Sequence, residues 1–61
     1  MDNRSKFLKI YANLPMTARD EIVVIIEGKP LTWNAAYIEV ENRTDLLKEI
    51  LAKLIESGIL K

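Results

Sequence analysis

The sequence predicts a single small α+β domain built as a helix, a β-hairpin and a second helix, and three observations lead there. Apolar residues recur at helical spacing near both ends of the chain. Five consecutive β-branched residues, Ile22 to Ile26, occupy the middle. A Gly28-Lys29-Pro30 turn follows them closely. The expected boundaries are a helix over about 4–14, a hairpin over about 20–40 and a helix over about 44–57, inside one domain covering 1–61. An all-α chain of three or four short helices is the alternative.

The first helix rests on Phe7, Ile10, Tyr11 and Leu14, which fall at i, i+3, i+4 and i+7. Asn3 or Ser5 is its expected cap, and Leu14-Pro15 ends it, because a residue before proline is pushed out of helical geometry. In the hairpin, a four-residue turn at Glu27-Gly28-Lys29-Pro30 sets Ile26 opposite Leu31, Val24 opposite Trp33, Ile22 opposite Ala35 and Asp20 opposite Tyr37. One face then carries Ile22, Val24, Ile26, Leu31, Trp33, Ala35 and Tyr37. The other carries Glu21, Val23, Ile25, Thr32, Asn34, Ala36 and Ile38. The second arm has a rival reading, since Trp33, Ala36, Tyr37 and Val40 also match a helix, with Thr32 as its cap. The last helix carries Leu46, Leu47, Ile50, Leu51, Leu54 and Ile55 on one stripe. Thr44, or Asn42 with Asp45, is its expected cap. Gly58 is its expected left-handed terminator, with Ile59 folding back onto it.

Bulk composition narrows the function. The chain has no cysteine and no histidine. Disulfides are therefore excluded, and carboxylates alone suit only hard cations, so no cofactor is expected. Nine basic and nine acidic residues cancel, which weighs against direct nucleic-acid binding. No apolar run approaches the roughly 18 residues of a membrane span, and no signal-peptide pattern opens the chain, so a cytoplasmic location is expected. The absence of Gln, Cys and His beside abundant Ile, Lys and Glu agrees with a thermophile's composition. Asn42-Arg43-Thr44 matches a glycosylation acceptor and is read instead as a helix cap. Without His or Cys the acid–base and nucleophilic repertoire is thin, and no catalytic residue is assigned. The chain reads as a binding or regulatory module and not as an enzyme.

Where a partner would sit follows from size. Sixty-one residues bury only about 60% of the surface their unfolded chain exposes. Two helices can cover one side of a hairpin, which leaves Val23, Ile25, Ala36 and Ile38, with Val40 further along, for another molecule, either a partner protein or a second copy as a homodimer.

Two family resemblances add expectations. The segment from Leu46 to Lys61 resembles the last helix of winged-helix DNA-binding domains, which often ends Leu-x-x-Leu-x-x-x-Gly-[Ile/Leu]; the resemblance implies a small DNA-binding regulator as the alternative function. The segment Arg4-Ser5-Lys6-Phe7-Leu8-Lys9-Ile10-Tyr11 is similar to peptides that dock on sliding DNA clamps. In those, a Gln, an aliphatic residue and two aromatics occupy the places held here by Arg4, Phe7, Ile10 and Tyr11, and only Tyr11 is of the expected type. In length and composition the chain also looks like the small clamp (PCNA) inhibitor proteins of thermophilic archaea. That resemblance implies a part in DNA replication, through an inhibitor whose Phe7 and Tyr11 plug the clamp's docking pocket. Arg4, Lys6 and Lys9 would steer it toward an acidic surface.

Overall fold

A computed structural model describes residues 2–61. The chain runs α1 (Asn3–Asn13), one 3-10 turn (Ala18–Asp20), β1 (Ile22–Ile26), β2 (Lys29–Thr32), α2 (Trp33–Glu41) and α3 (Leu47–Glu56). The expected α+β class, with a helix on either side of a hairpin, is what this order shows, and α2 is an additional helix. The hairpin is shorter than expected, and its second arm turns helical at Trp33.

The switch at Trp33 has a local cause. The Thr32 hydroxyl accepts the Ala35 backbone N–H at 3.1 Å, which satisfies one of the free donors of a helix start. Helical spacing then puts Ala36 and Val40 on the buried side and leaves Ile38 outside. Strict strand alternation would have turned Ala36 away from the core. The helical reading of 33–40 therefore corrects the strand reading.

The turn is also tighter than expected. Ile26 pairs with Lys29, so the loop is two residues, Glu27 and Gly28, both at positive φ (51° and 79°). That is the type I′ geometry whose twist matches paired strands. The register continues as Ile25 with Pro30 and Val24 with Leu31. It then shifts between Ile22 and Val24, where Ile22 meets Thr32. This irregularity swings Ile22 out of the core face, to 60% exposure, while Val24 and Ile26 stay buried. Ile22 was expected inside.

The helix caps differ in detail from expectation. Asp2 caps α1, its carboxylate accepting the Ser5 backbone N–H at 2.7 Å; neither Asn3 nor Ser5 does so. Hydrogen bonding to Ser5, first from its backbone N–H, holds the Asp2 carboxyl below its ordinary value. No side chain caps α3, because Asn42 belongs to the end of α2 and the Thr44 hydroxyl donates to the Glu39 carboxylate. Both α2 and α3 close with Schellman geometry. At the end of α3, Ile59 N–H reaches Leu54 O at 3.0 Å and Gly58 N–H reaches Ile55 O at 3.1 Å, with Gly58 at φ 85°. At the end of α2, Thr44 N–H reaches Glu39 O and Arg43 N–H reaches Val40 O, with Arg43 itself at φ 52°. The residue that folds back behind Gly58 is Leu60, almost fully buried, and not Ile59.

The core is one cluster: Phe7, Val24, Ile26, Ala36, Val40, Ile50, Leu54 and Leu60. It draws a side chain from every α-helix, from β1 and from the C-terminal segment. Two arginines tie helix ends to neighbouring elements. Arg4 Nε donates to Val40 O at 3.1 Å and its Nη2 lies 3.7 Å from the Glu41 carboxylate, at the negative end of α2. Arg19 Nη2 donates to Tyr11 O at 3.1 Å near the end of α1, its guanidinium 4.4 Å from the Tyr11 ring centroid.

Candidate interaction face

The four aromatic residues of the chain stand in one row. Trp33 stacks on Phe7 with centroids 5.6 Å apart, Phe7 neighbours Tyr11 at 6.5 Å, and Tyr11 lies 4.2 Å from Tyr37, their planes 10° apart. Tyr11 Oη donates to Asn34 Oδ1, and Asn34 Nδ2 donates to Asp20 Oδ1 at 2.9 Å. This row joins α1 to α2. Phe7 is wholly buried, so its ring could enter a partner's pocket only if α1 left the core. Tyr11 is half-buried and engaged on its ring and its hydroxyl. The expected plug residues are thus packing residues here, and Arg4, expected to steer, spends its donors on α2.

The remaining expected contact residues are dispersed. Ile10 packs against the core with part of its side chain facing a groove of about 320 Å³, shared with Lys6, Lys9, Ile59, Leu60 and Lys61. Ile38 projects from α2, 54% exposed. Val23 is half-buried against the core, whereas Ile25 is 58% exposed on β1. Val23 and Ile25 do come together: with Ile22, Val24, Lys53, Glu56 and Ser57 they line a groove of about 450 Å³. Four consecutive strand residues lining one groove place it along an edge of β1, with the last turns of α3 as its other wall.

The two edges of the hairpin differ chemically. In an antiparallel ladder, residue pairs alternate between exchanging hydrogen bonds and facing outward. Counting from the turn, Ile26–Lys29 is a bonded pair and Ile25–Pro30 is not, so the backbone groups of residues 25 and 30 point away from each other. On the β2 side that outward position belongs to Pro30, which has no N–H, so the β2 edge lacks a donor at its centre. On the β1 side it belongs to Ile25, which keeps both donor and acceptor. The open edge of this sheet is β1.

The sequence reading named Val23 and Ile25 but missed Ile22, Lys53, Glu56 and Ser57. The Lys53–Glu56 spacing of three on one helix face was readable; their meeting with β1 was not. Among the described residues no group of acidic side chains is arranged to hold a metal ion, and no helix is long and apolar enough to cross a membrane. Comparison with protein-family models, curated proteins and solved structures found no match.

Proposed function

We propose that this chain is a non-enzymatic protein-interaction module whose contact face is β1 with the C-terminal turns of α3. The observation that carries the reading is the pairing of Ile22 and Ile25, 60% and 58% exposed, with an unblocked strand edge between the hairpin and α3. Exposed aliphatic side chains and unpaired backbone groups on one element are what strand-addition interfaces use. A sliding clamp stays a candidate partner, reached through β1 and not through Phe7 and Tyr11.

The test is capture by the immobilised chain, with cell extract and with a purified sliding clamp as separate probes. Wild type should retain a protein that Ile25→Lys loses and that Ile59→Lys, on the other groove, keeps. Equal capture by all three sinks the assignment of this face, and so does the absence of any capture by a chain that also stays monomeric.

A further inference from the structure

Resting on that reading, we infer that the occupant of the β1 edge is a second copy of this chain, joined by antiparallel pairing of β1 with β1 about a two-fold axis. The product is a four-stranded sheet in the order β2, β1, β1 and β2, with Pro30 withholding a donor from each outer edge.

Three observations converge on a copy of itself as the partner. The first is the charge on the groove wall. Lys53 and Glu56 both line it, one of each sign. A two-fold contact brings residue i against j and j against i, so a lysine and a glutamate on one helix face are complementary to the same pair on a copy. A partner of uniform charge gains from only one of them. The second is the edge itself. Pro30 takes a donor from one side while Ile25 keeps its donor on the other, so pairing favours a single added hairpin over propagation into a fibre. The third is sheet size. The hairpin buries Val24 and Ile26 against the helices but leaves Ile22 and Ile25 to water, and joining two hairpins into four strands covers part of that remainder. The strand supplies a matching surface, since Ile22 and Ile25 of each copy meet the same residues of the other.

Sedimentation equilibrium from roughly micromolar to half-millimolar chain tests this, the range a contact at the small end of interface sizes requires. Wild type should reach twice 7.0 kDa at the top of that range. Ile25→Pro removes the outward N–H without breaking a hairpin bond and should stay monomeric with unchanged far-UV circular dichroism. Lys53→Glu should weaken association about tenfold, and adding Glu56→Lys should restore it, because the exchanged pair is again self-complementary. Should Ile25→Pro fail to fold, the charge exchange decides alone.

A wild-type chain that is monomeric throughout overturns self-pairing. So does a dimer indifferent to Ile25→Pro and Lys53→Glu, which uses another face. A monomer that nevertheless captures a protein lost by Ile25→Lys rejects the copy as occupant and leaves the interaction face standing. A monomer with no such capture rejects both.

Discussion

Phe7 shows how a single residue decides which experiments are informative. Its ring is enclosed by Trp33, Tyr11 and the aliphatic core, so truncation leaves a large cavity. Phe7→Ala should cost about 3–5 kcal/mol. A domain of this length has roughly 3–9 kcal/mol in total, so chemical denaturation should find the variant stripped of about a third or more of its stability and, at the low end of that range, unfolded. Any loss of partner binding in Phe7→Ala then reports lost fold, and a Phe7→Ala chain as stable as wild type would overturn the core assignment. Asp2 makes a second residue-scale prediction, this time with pH. Its folded pKa lies below the ordinary 3.8 because the Ser5 N–H stabilises the carboxylate. The sign follows: the cap's contribution is complete above that ordinary value and disappears as pH falls through the lower, folded one. Asn caps as well as Asp but does not titrate. Thermal melts taken between about pH 5 and pH 2 should show wild type losing more stability than Asp2→Asn. Parallel loss in both would rule out the cap as the titrating element.

At the scale of elements, the two Schellman closures form a matched pair with opposite expectations. Gly58 and Arg43 sit at equivalent left-handed positions, φ 85° and 52°. A side chain at Gly58 would meet nothing within 4 Å, so Gly58→Ala carries only the backbone penalty, about 1 kcal/mol. Arg43→Gly should remove such a penalty and stabilise by a similar amount, about 0.5–1 kcal/mol. Denaturant midpoints moving in opposite directions check both; a destabilised Arg43→Gly would mean that the arginine side chain contributes something its backbone conformation conceals. These elements also mark what the sequence disclosed. Gly58 was legible as a terminator because only glycine enters that conformation freely, and α1 and α3 were legible from period alone. The end of α2 was hidden, because arginine gives no hint of a positive φ. The fate of 33–40 was ambiguous in principle: Trp33, Ala36 and Tyr37 satisfy a helix, Trp33, Ala35 and Tyr37 satisfy a strand, and the Thr32 cap decides. The outward turn of Ile22 was invisible for a different reason, since a register shift alters which residues face the core without altering composition or spacing. Of the interaction face, Val23 and Ile25 were legible as surplus apolar surface. The α3 wall was not, because Lys53 and Glu56 read as solvent-facing charge until the fold sets them beside β1.

The whole molecule is as compact as a monomer of its size. Its Cα radius of gyration is 10.4 Å, where a chain of this length is expected at roughly 10.5 Å. Its accessible surface is 4185 Å², where its mass implies roughly 4000 Å². Association therefore cannot be argued from an excess of surface. It rests on which groups occupy that surface: Ile22, Ile25 and an unblocked strand edge.

That distinction has a thermodynamic signature. An isolated monomer melts at a temperature independent of its concentration, whereas coupling of folding to pairing makes the midpoint rise with concentration by mass action. Each tenfold increase above the dissociation constant stabilises a dimer by about 1.4 kcal/mol, or about 0.7 kcal/mol per chain. For a domain this small, 1 kcal/mol moves the midpoint by about 4–8 °C, so the wild-type midpoint should climb by about 3–6 °C per decade. Ile25→Lys separates the two cases cleanly. Ile25 is 58% exposed, so in a monomer its replacement should change stability by no more than about 0.5 kcal/mol. In a dimer it should flatten the dependence on concentration while leaving the dilute midpoint almost where it was. A flat wild-type curve would reject the second copy as occupant and leave Ile22 and Ile25 either to a different protein or to water, two cases that capture by wild type and by Ile25→Lys separates.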